Sequence, residues 1–360
     1  MYGNTRFLYD NKITTAGMLT PSSQADGVIT GAAKQGTGAA AMNTGGAYSG
    51  QSTLIYTVQI DDVTGGNEIG QATFRWRTSD TTAGAWEAES VTTATAMTAL
   101  SNGVEIGFVA GSDDDFDGNE LWTFYAYPSF GAEKLLDRDR GTGWRSATDD
   151  IENVTLTIDL GAAVNITACV LFDHNLMAGA TVTLKANTTD AWGSPAYTQV
   201  LTIADAIITY LDQTYRYWQI EIDDAANPDA YLEIGELFLG AYLELETNAE
   251  WGAEQNRVWR TQENTTGCGV RQQYAHTRQD AWILNYPNLS NTDMTALQTM
   301  YAAIYNTTTG VVTPLFLHLF SDEVDVFLVT PTEPELPRAY AYYPRNATTL
   351  NFTEVVAPYV

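Results

Sequence analysis

The chain has 360 residues, 44% of them hydrophobic and 11% aromatic, which is enough apolar material for two or three cores. Its formal charge is −27, with only 17 Lys and Arg, so its surface repels phosphate backbones and nucleic acid is excluded as an expected partner. No stretch reaches the ~18 apolar residues of a membrane span, and the opening MYGNTRFLYDNK lacks the apolar run of a signal peptide, so neither membrane insertion nor export by that route is expected.

Residues 1–46 open with a strand-like RFLYD and pass into PSSQADGVITGAAKQGTGAAAMNTGGAYSG (21–50). That Gly-, Ala-, Ser- and Thr-rich stretch has no aromatic anchor before Tyr48 and reads as a linker or long extended arm. Residues 47–126 read as a small antiparallel β-sandwich, because TLIYTVQI, ATFRWRT, GVEIGFV and ELWTFYAY alternate or are rich in β-branched and aromatic residues. The module holds GSDDDFDGNE (111–120), where Asp113, Asp115, Asp117 and Gly118 match the first half of a calcium loop. An EF-hand starting at Asp113 needs a bidentate Glu at position 12, where Phe124 stands, and helices where strands flank it. The stretch therefore reads as a solvated acidic hairpin loop, with Phe116 tucked inward and the turn at Asp117-Gly118.

Residues 127–243 add VTLTIDL, ITACVLF, ATVTLKA, YRYWQIEI and YLEIGELFLG. Residues 244–360 add AWILNYPNLS, VTPLFLHLF, VDVFLVT and TTLNFTEV around one helix near 292–306. Ser290 or Thr292 would cap that helix, and Met294, Leu297, Met300, Tyr301 and Ile304 would form its buried stripe. The fold class is all-β, in three β modules, the last with one helix.

Cys169, in ITACVLF, reads as a core thiol, and nothing in the spacing pairs it with Cys268. His174, His276 and His318 are far apart, and His318 sits in an apolar strand. No Gly-x-Ser-x-Gly, His-Glu-x-x-His, P-loop or dinucleotide pattern occurs, so no enzyme is expected.

Four elements in order carry a resemblance over about 110 residues. They are the turn Asp137-x-Asp139-x-x-Thr142-x-Trp144, Asp159-Leu160-Gly161, Arg216-Tyr217-Trp218 and the strand of Glu236. This resembles the discoidin, galactose-binding-like jelly roll. RFLYDNKITTAGMLTPSSQADG resembles that fold's start, which would make 47–126 an insertion. The resemblance implies a structural Ca²⁺ held by Asp137, Asp139, Thr142 and Glu236. Arg138, Arg140 and Arg145 depart from the pattern, and leave a turn held by Arg–Asp pairs as the alternative. It also implies glycan contacts at loop ends, with His174, Asn175, Trp192 and Tyr197 as candidates. For each, a structural role is the competing reading.

Tyr56-Thr57-Val58, Phe74-x-Trp76 and Trp122-x-Phe124 resemble small sandwiches of phage tail and fibre proteins. The C-terminal order, ending in Phe352-x-Glu354-Val355, resembles the barrel-like module of phage distal-tail proteins. Together these imply a structural virion protein of the tail, tail tip or baseplate. Its partners would be other tail subunits, a homo-oligomeric ring and host-surface glycans. The alternative is a carbohydrate-binding adhesin with no tail role.

Overall fold

The computed structural model describes residues 4–50, 52–250, 254–265, 271–306, 310–321, 325–342 and 345–356. Cys268 and the side chain of His276 lie outside the described residues. The contacts divide the chain into two compact units, one of Met1–Gln24 with Gly131–Val360 and one of Ala25–Phe130. The first unit opens with β1 (Arg6–Asn11) and β2 (Leu19–Pro21).

The second unit contains β3 (Val28–Ile29), β4 (Ala33–Gln35), β5 (Ala41–Gly46), β6 (Leu54–Asp62) and β7 (Thr73–Thr78). It continues with β8 (Ala88–Thr92), β9 (Thr98–Ala99), β10 (Val104–Val109) and β11 (Leu121–Tyr127). One sheet runs β3-β11-β6-β7-β8, with β4 also on β11, and a second runs β5-β10-β9. Alternate residues of both sheets enter one core, among them Met42, Ile106 and Phe108 from the second and Tyr56, Phe74, Trp122 and Phe124 from the first. The expected extended arm is therefore corrected: from Val28 onward it supplies β3, β4 and β5. The pairing of β5 runs along β10 from Ala41↔Val109 to Gly46↔Val104. These strands pair by backbone while burying few side chains, so they leave little hydrophobic pattern to read.

The first unit resumes with β12 (Trp144–Arg145), β13 (Val154–His174), β14 (Thr181–Asn187), β15 (Tyr197–Leu201), β16 (Ile207–Asp223) and β17 (Glu233–Glu244). Then come β18 (Glu254–Thr265), β19 (Arg271–Leu289), α1 (Asn291–Ile304), β20 (Tyr305–Asn306) and β21 (Val311–Val312). The last are β22 (Leu315–His318), β23 (Val326–Pro331), β24 (Ala339–Tyr342) and β25 (Arg345–Glu354). The all-β class with one helix stands. Ser290 caps the helix, its Oγ accepting the Asp293 N–H at 3.0 Å, and all five residues of the expected stripe are buried.

The long strands β13 and β16 pair along their length but shift register between Asp159 and Val164. Gly161, at φ +74°, takes the left-handed conformation there. Leu156 and Ile158 before the shift and Ile166, Cys169 and Leu171 after it enter the same core, so the paired strands fold over their own interior. Asp159 accepts Arg216 at 2.7 and 2.8 Å and the Gly161 N–H at 2.8 Å, which holds its carboxyl at about 2.

No break separates this region from the C-terminal strands. Among the described residues one antiparallel sheet runs β15-β14-β16-β13-β17-β1-β22-β23-β25-β19-β18. The join is β1, which pairs with β17 (Phe7↔Leu243) on one side and β22 (Phe7↔Leu317) on the other. Phe7 enters the core beneath α1 with Trp282, Leu284 and Leu297, while Leu8 enters a core on the opposite face with Val170, Phe172, Phe238 and Phe316. The uninterrupted apolar runs ACVLF and LFL fall where both sheet faces are covered. Cys169 is one of these residues, and burial pushes its thiol up to about 12.

Two outcomes follow from this architecture. Residues 25–130 expressed alone should fold and unfold cooperatively in a denaturant titration; a chain without dispersed amide resonances would contradict a self-contained core. Phe7→Ala should destabilise the other unit by about 3–5 kcal/mol, because it opens a cavity at a fully buried position beside the join.

Candidate functional site

The turn after the short helix Ala132–Leu135 is built by its own side chains. Asp137 Oδ1 accepts the Asp139 N–H at 3.0 Å, Asp139 Oδ1 accepts the Gly141 N–H at 2.9 Å, and the Thr142 hydroxyl donates to Asp137 Oδ2 at 2.8 Å. Lys134 Nζ stands 3.7 Å from that same Oδ2. Glu236 is fully buried on β17, and its Oε2 receives Arg138 Nη1 at 3.1 Å. To reach it, Arg138 adopts φ +60°.

The four residues expected to hold Ca²⁺ do not fit that ion. The aspartates face turn donors, the carboxylate assigned as the distant ligand faces a guanidinium, and Lys134 adds a second positive charge. Among the described residues no three Asp, Glu, His or Cys side chains cluster as a metal would require.

The arginines do more than hold the turn. Arg140 forms a two-pronged pair with Asp173 at 2.7 and 2.9 Å, and its Nη1 also reaches Glu354 Oε1 at 2.9 Å and the Val355 carbonyl at 3.0 Å. Arg145 pairs with Glu233 at 2.9 Å. The turn thus fastens β13 and β17 to the end of β25. Burial lifts the Glu236 carboxyl to about 8, against the pull of Arg138, and its Oε1 is buried without a hydrogen-bond partner.

The four glycan candidates fall into two pairs at opposite ends of β14, about 20 Å apart by strand rise. His174 and Asn175 precede β14 and are engaged structurally. His174 Nε2 is 2.9 Å from the Ala204 carbonyl, and Nδ1 accepts the Leu176 N–H at 3.2 Å, which makes Nε2 the protonated nitrogen. Desolvation pushes the ring's pKa down. The Asn175 side chain donates to Asp229 and Tyr231 and accepts the Glu233 N–H at 2.7 Å. Trp192 and Tyr197 lie in and after the loop that follows β14. Trp192 is half-buried, its Nε1 donating to Asp190 Oδ1 at 2.8 Å, and Tyr197 packs against Trp218 at 6.3 Å between centroids.

The acidic loop 111–120 departs from the solvated loop expected of it. Asp115 and Glu120 are buried: Asp115 accepts the Gly111 and Ile69 N–H groups, and Glu120 those of Gly38, Asp117 and Gly118. Carboxylates that cap buried backbone amides look in sequence like solvated ones, so no signal separated them. Phe116 does tuck inward, and Gly118 makes the turn at φ +85°.

No protein family matches the sequence, and no curated protein matches it. Among solved structures, it is similar to a family 32 carbohydrate-binding module of C. perfringens NanJ in complex with galactose, at 13% identity over 31% of this chain and 85% of that one, TM-score 0.25. It is also similar to a chitosan-binding module from Paenibacillus sp. IK-5 in complex with chitotriose, at 19% identity over 30% and 85%, TM-score 0.24. A Ruminococcus gnavus GH29 fucosidase in complex with fucose matches at 12% identity over 32% of this chain, TM-score 0.27, and the chain spans 23% of its length.

The lifted Glu236 carboxyl sets a pH dependence. Its folded value of about 8 exceeds the ordinary 4.5, so the folded state holds the extra proton between those values and loses the associated stability as pH rises through that window. Glu236→Gln should flatten the fall in stability between those pH values, measured by urea melts at each pH. An unchanged slope would show that Glu236 is ionised throughout. Arg138→Ala should cost about 3–5 kcal/mol above pH 8, where it strands a buried charge.

Proposed function

We propose that the protein is a non-catalytic structural subunit of a tailed-phage particle, placed at the distal tail, tail tip or baseplate. There it would pack against other tail subunits while its exposed loops meet host-surface glycans. The supporting observation is the single sheet that carries the jelly-roll strands into the C-terminal strands through β1. A binding module on a flexible tether reorients freely. A jelly roll built into its neighbour's sheet holds a fixed direction, as a subunit that positions and transmits force requires. Immunogold labelling of virions with antibody to the purified protein should place gold at tail ends, and unlabelled tails would overturn the assignment.

A second reading, a carbohydrate-binding adhesin acting alone, is favoured by exposed aromatic rings. The Trp192 ring is half-exposed on its loop, and Tyr125 and Tyr127 stack on the outer face of β11 with centroids 6.0 Å apart. It predicts glycan binding by the monomer, weakened by Trp192→Ala. A silent glycan array would remove that reading and leave the structural one in place.

A further inference from the structure

The hairpin of β18 and β19 leaves the body of its unit as an arm. The last pairing of β19 with β25 is Ala281↔Thr353, whereas β18 and β19 stay paired from Arg257↔Asp280 to Thr265↔Arg271. That ladder extends for about 30 Å at the usual strand rise. At its root the β19 residues Gln279 and Asp280 are buried, while on β18 Val258 and Trp259, which point to opposite sides, are 48% and 61% exposed. Among the described residues β18 pairs only with β19, so its outer backbone edge is open.

The arm's charge opposes that of the rest of the chain. From Arg257 to Asp280 stand four arginines and two acids, Glu263 and Asp280, in a protein whose formal charge is −27. Arg257 and Arg278 are 60% and 49% exposed, and both face one carboxylate, Asp280, at 3.5 and 3.9 Å. Asp280 is itself held by Gln255 Nε2 at 2.9 Å, and its N–H donates to Glu354 Oε2 at 3.2 Å, so the root of the arm is anchored to the body of the unit.

We propose that this arm is a self-association device, docking on the acidic surface of a second copy of the same chain with Trp259 as its apolar anchor. A basic, two-faced hairpin has its complement in the acidic surface of an identical chain, and a free strand edge adds main-chain hydrogen bonds to whatever it meets. An exposed Trp flanked by arginines has the composition that dominates interface energetics. Each copy then offers an arm and receives one, a head-to-tail contact that closes into a ring when the rotation permits. The proposal names one partner within the structural-subunit reading.

Sedimentation velocity of the full chain tests it, at salt from about 0.05 to about 0.5 M. Wild type should form concentration-dependent oligomers that dissociate as salt rises. Arg257→Glu with Arg278→Glu should weaken association by about tenfold or more, while Arg257→Lys with Arg278→Lys retains it. Trp259→Ala should weaken it with an unchanged thermal melt, because the ring packs against little of its own chain. A wild-type monomer throughout overturns the proposal, as does an oligomer indifferent to the charge reversals. Neither result bears on where antibody labels a virion, so the two readings fail separately.

Discussion

Everything in the larger unit depends on where the first strand lies. β1 is short, yet it is the shared edge between two sets of strands that would otherwise end in open ladders. Its two faces cover different cores, Phe7 entering one and Leu8 the other. Arg6 adds a polar clamp on the Leu8 side. Its Nε meets Glu244 at 2.6 Å, and its guanidinium lies 3.9 Å from the Tyr210 ring centre and 4.7 Å from that of Tyr242. Tyr210 in turn shares a 2.5 Å hydrogen bond with His318 on β22. One side chain from the N-terminal strand thus touches β16 and β17, and reaches β22 through Tyr210.

The second tie is the arginine-bearing turn. Where the resemblance implies a calcium-pinned loop, the turn carries its own cations, and their reach is longer. A calcium ion would bind the turn to Glu236 and stop there. Arg140 spans from Asp173 to Glu354, and Glu354 also accepts from the Asp280 backbone at the root of the arm. The turn, the end of β13, the end of β25 and the base of the β18–β19 hairpin therefore form one polar chain. The same arrangement leaves Glu236 with a partner on one oxygen only, which is why its charge is costly there despite the arginine.

What could be read in the sequence was what periodicity encodes. The helix, its stripe and its Ser290 cap were legible because a 3.6-residue repeat has few imitators. The bend in β13 was legible because Asp159, Gly161 and Arg216 perform one local task, holding that bend, with a fixed set of residue types. Backbone pairing by small residues was not legible, which hid β3, β4 and β5. The continuity across residue 244 was hidden too, because Glu244 looks like a solvated strand end. It is instead held by Asn4 and Arg6, more than two hundred positions away in sequence. His174 and Asn175 looked like exposed loop polars, and their partners 204, 229, 231 and 233 are equally invisible to local pattern.

The interruption of the larger unit by residues 25–130 has a local physical basis. Inserting a domain into a loop costs little when the points of entry and exit are already close, because the host then closes a short loop whatever the insert's length. Both sides satisfy that condition. On the host side, the Gln24 side chain accepts the Ala132 N–H at 3.3 Å, and Ser23 meets Asp150 at 2.6 Å. On the insert side, the Phe130 N–H donates to the Ala25 carbonyl at 3.1 Å, and β3 pairs with the end of β11 through Val28↔Tyr127. Each unit thus has its own hydrogen-bonded closure at the junction. An insert that met the host only through strained connections would load β2, which lies directly upstream and pairs Leu19 with Ile158 in a core of the larger unit. Closing each unit on its own side of the junction leaves that strand free to keep its register.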